Sequence, residues 1–148
     1  MIIEELDLNV TDLLDEFVNE QRILFEQNNS EQSISSQLAR KLALHATGWD
    51  VDCEYSRNMG VIKELNYAVD PDAVVIARNV VPDIIIHRRG TRNNLLAIEV
   101  KKVCNKENRY KDHAKLAAFK SQLGYTHTLF IDFLTGDDGI GIESVVLL

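Results

Sequence analysis

The chain of 148 residues contains few residues that interrupt or cross-link a fold: two prolines, two cysteines and seven glycines. Cys53 and Cys104 form no C-x-x-C pair, which argues against a zinc ribbon and favours reduced thiols in a cytoplasmic protein. No apolar run approaches the roughly 18–20 residues that cross a bilayer, so no membrane partner is expected. Residues 1–7 are acidic where a signal peptide would be basic, which argues against secretion.

Charge is plentiful but unevenly distributed. The net charge is −7, which is unfavourable for a protein that coats nucleic acid. Between residues 83 and 120, however, ten Lys or Arg side chains stand against four acids, a local charge of +6. This stretch has the sign of a surface that meets phosphates. The alternative is that two exposed elements are merely rich in basic residues.

Hydrophobic periodicity predicts one α/β domain over residues 1–148, with a mixed sheet covered on both faces by helices. Helices are expected at 11–27, 31–46 and 107–123, and strands at 50–57, 82–88, 94–103, 126–134 and 140–148. The pattern between 58 and 81 is less decided, with turns at 58–60 and 70–72 and short strands at 61–67 and 73–77.

Three charged residues lie where two neighbouring strands should meet. Glu99 and Lys101 are two apart in a strand and therefore project from the same face. Asp83 stands at the start of the preceding strand, and the polar segment 89–93 suits a hairpin between the two. The hairpin would bring Asp83 beside Glu99. A structural salt bridge on a strand edge is the alternative interpretation.

Two close carboxylates repel each other unless they share a cation, and Mg²⁺ prefers one or two carboxylates together with waters and phosphate oxygens. An ion there would polarise a phosphodiester and activate a water molecule. Lys101 would orient or deprotonate that water, or neutralise the negative charge that develops during the reaction. Two further acids fit this picture. Glu31 opens the second helix on its apolar stripe, although the helix dipole alone favours an acid there. Glu54 lies in the strand 50–57, although it could simply pair with Arg57.

The segments Val-Pro82-Asp83-Ile-Ile-Ile and Ala-Ile-Glu99-Val-Lys101 resemble the PD-(D/E)XK superfamily of restriction-endonuclease-like nucleases. The resemblance covers about residues 30–134 and leaves residues 1–29, with their helix, outside the common core. It implies a three-layer sandwich with a mixed sheet between helices. It also implies metal-dependent hydrolysis of phosphodiester bonds in nucleic acid, with DNA as the expected substrate and Mg²⁺ or Mn²⁺ as cofactor.

By this resemblance, Lys101 is catalytic together with Asp83, Glu99 and Glu54. The metal would be held at Asp83, Glu99, Val100 and Glu31. Five residues of the basic stretch are candidate contacts to nucleic-acid phosphates: His87, Arg88, Arg89, Arg92 and Lys102. A hydrogen-bonded structural role is the alternative for His87, and Asp112 and Lys115 are expected to be solvated charges of the third helix.

Two rival hypotheses stay open at this point. The chain could be a catalytically inactive nuclease-fold module that binds or regulates, or an assembly module whose acidic helix at 11–27 docks against a partner. Nucleases that cut both strands often pair two sites, so a homodimer is also plausible on functional grounds.

Overall fold

The computed structural model describes residues 1–58 and 61–148, with the backbone alone at 57, 58, 61 and 62. The α-helices in this part of the chain are α1 (Val10–Glu20), α2 (Arg22–Glu26), α3 (Glu31–Ala43) and α4 (Arg109–Leu123). The strands are β1 (Ile2–Ile3), β2 (Leu8–Asn9), β3 (Asp50–Cys53), β4 (Arg57–Asn58), β5 (Val61–Ile62), β6 (Glu64–Tyr67), β7 (Ile76–Asn79), β8 (Ile84–His87), β9 (Asn94–Lys102), β10 (His127–Leu134) and β11 (Gly141–Leu147).

A five-stranded sheet organises the domain, with the strand order β11-β10-β9-β8-β3. The β9 and β10 strands run parallel, and the other neighbouring pairs are antiparallel. Parallel neighbours need a long connection, which α4 supplies between β9 and β10. The sheet is therefore mixed, as the sequence predicts.

Each face of the sheet carries its own hydrophobic core. From β9, Leu96, Ile98 and Val100 pack with Phe17 and the other buried residues of α1, α2 and α3. On the opposite face, Ala97 of β9 packs with Phe119 of α4 and with β6. The alternation follows from the period of two along a strand. It confirms the α/β domain with a sheet flanked by helices, and it directs Glu99 and Lys101 towards α4.

The predicted helix at 11–27 is divided in two. Gln21 leaves helical geometry at φ −102° and ψ 25°, between α1 and α2. The break turns the chain so that the Phe25 ring packs edge-on against the Phe17 ring, with 5.8 Å between the ring centroids. The Phe25 ring also packs at a tilt against the Phe133 ring, with 5.1 Å between the centroids. Burial of these aromatic rings outweighs continuation of a single helix across polar residues.

One further prediction needs correction, one feature was not predicted, and one prediction stays untested. The strand expected at 50–57 ends at Cys53, because Glu54 adopts a left-handed backbone with φ 50°. The β1–β2 pair was not predicted, since strands of two residues carry too little periodicity to detect. Residues 59 and 60 of the turn expected at 58–60 lie outside the described part of the chain. In that part, no helix combines the length and apolarity needed to cross a membrane.

Candidate functional site

The β8–β9 hairpin brings Asp83 and Glu99 together. Ile84 of β8 is paired with Ile98 of β9, so the next residues outward in this antiparallel register are Asp83 and Glu99. Asp83 Oδ2 accepts a hydrogen bond of 2.7 Å from the backbone N–H of Val100. The predicted convergence of the two carboxylates is therefore confirmed.

Glu99 is buried, with 3% of its surface exposed. Its Oε1 lies 2.6 Å from the Lys115 ammonium, which also donates a hydrogen bond of 2.9 Å to the Val81 carbonyl. The ammonium and Oε1 form a close ion pair, and no other donor in the described part of the chain contacts that atom. Burial raises the pKa of Glu99 to about 8. The positive charge of Lys115 acts to lower this pKa, whereas the negative charge of Asp83 raises it further.

Lys101 lies beside this pair on the same face of β9. Its Nζ is 3.2 Å from Glu107 Oε2 and 3.7 Å from Asp112 Oδ1. Burial acts to lower the pKa of Lys101, but Asp112 and the neighbouring carboxylates outweigh it, so the pKa is raised. Lys101 is therefore a stable cation at neutral pH.

The α4 helix supplies the partners of both motif residues, since Asp112 faces Lys101 and Lys115 faces Glu99. The expectation that Asp112 and Lys115 are solvated is wrong, since Asp112 is 4% exposed and the Lys115 side chain 13%. A signal was present in the sequence: Asp112 precedes the inward Leu116 by four residues and so lies on the apolar stripe of the helix.

We call Asp83, Glu99, Lys101, Asp112 and Lys115 the motif cluster. Its three carboxyls and the adjoining Glu107 form ion pairs with two ammonium groups, and Arg109 and Lys111 attract Asp112 and Glu107 as well. Burial nevertheless raises the pKa of Asp83, Glu99 and Asp112. The oxygen atoms of the cluster suit a hard divalent cation.

The two auxiliary acids lie on either side of the motif cluster. Glu31 Oε2 accepts a hydrogen bond of 2.8 Å from the Lys102 N–H, and Asn105 Nδ2 donates to the same carboxylate at 3.1 Å and 3.3 Å. Glu54 is exposed, and its N–H donates to the Asp83 carbonyl at 3.2 Å. Together with Asp83 and residues of α3, Glu54 lines an open cleft of about 470 Å³.

The structure brings the predicted metal-binding residues together only in part. Across the described residues, no three Asp, Glu, His or Cys side chains converge as a ready metal-binding group. Asp83 and Glu99 form the closest arrangement, whereas Glu31 and Glu54 reach the site through main-chain contacts. The Val100 side chain is buried in the opposite core, so Val100 can contribute to the site only through its backbone.

The predicted phosphate contacts are mostly at the other end of the hairpin. His87 Nε2 lies 2.7 Å from Asp52 Oδ2, and Arg89 Nε donates to the same oxygen at 2.9 Å. We call Asp52, His87 and Arg89 the tip cluster. His87 lies four positions after Asp83 in the chain, which is roughly 13 Å at the rise of a strand. His87 is buried, and its hydrogen bond with Asp52 agrees with the alternative interpretation of His87 as a structural residue.

The remaining basic candidates divide between the two ends. Arg88 stacks its guanidinium over the Trp49 ring at 4.1 Å and donates to the Gly48 carbonyl at 3.2 Å. Arg92 is exposed in the hairpin loop. Lys102 is at the motif end, where its Nζ donates to Asn28 Oδ1 at 3.1 Å. Of the five predicted phosphate contacts, only Lys102 is therefore at the motif end. The other four, His87, Arg88, Arg89 and Arg92, are at the loop end of the hairpin.

Comparison with protein-family models finds no match, and comparison with curated proteins finds none either. Among solved structures, the chain is similar to one described as the crystal structure of SSO0001, with a TM-score of 0.32 and 14% sequence identity. The match covers 95% of this chain and 77% of that one. A likeness at this level carries no argument about fold or activity, so the case for function depends on the geometry of the motif cluster.

Proposed function

We propose that this protein is a metal-dependent nuclease that hydrolyses phosphodiester bonds in nucleic acid, with DNA as the expected substrate. We propose that its fold is the restriction-endonuclease-like three-layer sandwich. The observation that supports the nuclease proposal is the placement of Asp83 opposite Glu99, with Lys101 on the same face of the sheet. The order of elements is consistent with the resemblance, because α3 with Glu31 precedes the first strand of the sheet and α4 follows the Glu-x-Lys strand.

Asp83 and Glu99 would hold Mg²⁺ or Mn²⁺, with the Val100 backbone and Glu31 beside them. Their carboxylate oxygens suit either ion, and within the described chain the buried Glu99 Oε1 has only the Lys115 ammonium as a polar partner. The ion, when bound, supplies polarisation of the phosphodiester and a lowered pKa for an attacking water. Burial raises the pKa of both carboxyls, and strongly perturbed pKa values are found preferentially at functional sites, which supports the proposal.

Lys101 acts in this proposal as a fixed positive charge. Because its pKa is raised, the ammonium is poorly suited to take a proton from water at neutral pH. It is well suited to stabilise negative charge that develops on the phosphate, and Glu107 and Asp112 hold it in position for that role. Glu54, which is exposed beside Asp83, is the candidate to hydrogen-bond the attacking water.

The open cleft beside Asp83 is the proposed approach for the substrate. It lies between α3 and the end of β3, and serine side chains of α3 and Glu54 line it. Its volume of about 470 Å³ is in the range of sites that hold a small ligand, here one or two nucleotides of a strand. Lys102 at the motif end, and Arg88, Arg89 and Arg92 at the hairpin loop, are proposed to contact phosphates farther along the strand.

The direct test is cleavage of supercoiled plasmid, single-stranded DNA and RNA in Mg²⁺, in Mn²⁺ and in EDTA. We expect cleavage that needs the metal and that is lost in Asp83→Asn and Lys101→Met. Lys120→Met, an exposed change on the same helix as Lys115, serves as the matched control and should cleave normally. Cleavage that persists in EDTA, or an unimpaired Asp83→Asn variant, would exclude the mechanism.

One observation favours a second candidate, a catalytically inactive nuclease-fold module that binds or regulates. Glu99 is almost fully buried against Lys115, and Lys101 is engaged by Glu107 and Asp112, so ion pairs alone could explain the cluster. Calorimetry with Mg²⁺ and Mn²⁺ discriminates between the two. Absence of binding at millimolar metal, together with absence of cleavage, would favour the inactive module.

A further inference from the structure

Lys115 is positioned where a cation of the motif cluster would be needed. It projects from α4, and its ammonium lies 2.6 Å from Glu99 Oε1 and 2.9 Å from the Val81 carbonyl oxygen. Glu99 is in turn the residue opposite Asp83 in the hairpin register. A side chain from outside the Asp/Glu-x-Lys motif therefore supplies the positive charge at the carboxylate pair.

A divalent ion bound at Glu99 Oε1 would compete with this ammonium for the same oxygen. Mg²⁺ binds carboxylate oxygens at roughly 2.0–2.1 Å, which is shorter than the distance at which Lys115 already lies from Oε1. Two cations within a few ångströms of each other repel strongly in a site screened from water. Because the Lys115 stem has four flexible methylene groups, the ammonium can move while the backbone of α4 stays in place.

We propose that Lys115 is an internal placeholder cation, which neutralises Glu99 before metal arrives and must leave Oε1 for metal to bind. The inference rests on the proposed function and adds to it a mode of regulation. It explains how the buried carboxylate pair is tolerated in the folded chain without metal, since an uncompensated pair would oppose folding. It also makes metal loading an exchange of one cation for another, and so lowers the metal affinity of the resting site.

The first test measures the Kd for Mn²⁺ by calorimetry in the absence of nucleic acid. Lys115→Met keeps the length of the side chain and removes its charge, and Lys120→Met is the control on an exposed part of the same helix. We expect Lys115→Met to bind Mn²⁺ at least about tenfold more tightly than the wild type, and the control to match the wild type. A Kd for Lys115→Met equal to or weaker than that of a wild type that binds Mn²⁺ overturns the inference.

A second test uses the unaltered chain, because Lys115→Met removes the counter-ion of a buried acid and its folding must be checked by circular dichroism. Reductive methylation with formaldehyde and a borane reductant, followed by peptide mass spectrometry, reports how accessible each lysine is. We expect Lys115 to react several-fold faster in Mn²⁺ than in EDTA, relative to Lys120 in the same sample. Equal reactivity of Lys115 in both conditions, at saturating Mn²⁺, contradicts displacement.

Failure of the inference is distinguishable from failure of the proposed function. If the wild type binds Mn²⁺ and cleaves DNA while Lys115→Met shows no gain in affinity, the placeholder role alone is wrong. If neither protein binds Mn²⁺ at millimolar concentration and no cleavage occurs, the nuclease proposal is wrong and the placeholder role falls with it.

Discussion

The two ends of the β8–β9 hairpin both bury carboxylates beside cations, but they balance charge in opposite ways. At the tip cluster, Asp52 accepts from Arg89 and lies 2.7 Å from His87 Nε2. Burial acts to raise the pKa of Asp52, yet the hydrogen bonds from Arg89 and His87 outweigh it and hold the pKa below its ordinary value. At the motif cluster, burial prevails and raises the pKa of Asp83, Glu99 and Asp112.

The difference separates an ion pair that stabilises the fold from carboxyls whose ionisation opposes it. The hydrogen bonds to Asp52 lower its pKa, so its charge stabilises the folded state. The pKa values of Asp83, Glu99 and Asp112 are raised, so ionisation of these carboxyls opposes folding. Strongly perturbed pKa values are found preferentially at functional sites. The comparison therefore supports the proposal that the Asp83 end of the hairpin is the functional end.

The largest expected effect concerns Glu99. Glu99→Gln keeps the shape of the side chain and an oxygen towards Lys115, but it removes the charge that metal needs. We expect metal-dependent cleavage to fall by roughly 10³-fold, the scale for loss of a group that acts in the transition state. At pH 8 and above in EDTA, the free energy of unfolding should not be reduced, because the ionised carboxylate that opposes folding is lost together with its ion pair. Plasmid cleavage and urea unfolding measure the two quantities.

The tip cluster should show the reverse behaviour. Asp52→Asn removes the charge that His87 and Arg89 share, but the Asn oxygen still accepts a hydrogen bond, so the equivalent of one charged hydrogen bond, about 2 kcal/mol, is lost. We therefore expect a loss of about 2 kcal/mol in the free energy of unfolding and unchanged cleavage per folded molecule. Asp50→Asn, at a more exposed acid next to the same arginine, is the control and should lose less than about 0.5 kcal/mol. Strong loss of cleavage in folded Asp52→Asn would remove the distinction between the two ends.

Stability should depend on pH with opposite sign at the two ends. The folded-state pKa of Glu99 is raised from 4.5 to about 8, so its contribution to stability is fully present below pH 4.5 and is lost as pH rises through 8. The folded-state pKa of Asp52 is lowered from 3.8, so its contribution is present above that pH and is lost as pH falls through the lowered value.

Urea unfolding in EDTA at several pH values tests both signs. The stability of the wild type relative to Glu99→Gln should fall between pH 4.5 and 8. The stability of the wild type relative to Asp52→Asn should instead rise from pH 3 to pH 5. A flat difference for Glu99→Gln would mean that Lys115 compensates Glu99 completely, and that the motif cluster is as well balanced as the tip.

The part of the site that the sequence predicts correctly depends on local geometry. Glu99 and Lys101 share a face because a strand has a period of two, and a short polar loop is enough to predict the hairpin that delivers Asp83. The fold class follows in the same way from the order of helices and strands. The resemblance to a nuclease family adds roles to these residues, and those roles stay predictions.

What the sequence does not predict depends on how distant elements pack. The rotation of α4 about its axis decides whether Asp112 and Lys115 meet solvent or the sheet, and that rotation is set by burial of residues such as Phe119. Likewise, the bond between Asp52 and His87 requires the pairing of β3 with β8, which are 30 residues apart in the chain. Contacts of this kind carry no local period and cannot be inferred from one sequence.

The smallest expected effect tests whether a bound strand reaches from the motif cluster to the hairpin loop. Arg92 in that loop is roughly 15–20 Å from Asp83 at the rise of a strand, a span of about five nucleotides. In an Asp83→Asn background, which prevents cleavage, Arg92→Ala should weaken DNA binding a few-fold and reduce the slope of log Kd against log salt by about one. Fluorescence anisotropy at several salt concentrations measures both, with Lys120→Ala as the control. An unchanged slope would confine the nucleic acid to the motif end, and the basic loop would then serve only to hold β3, Trp49 and the tip cluster in place.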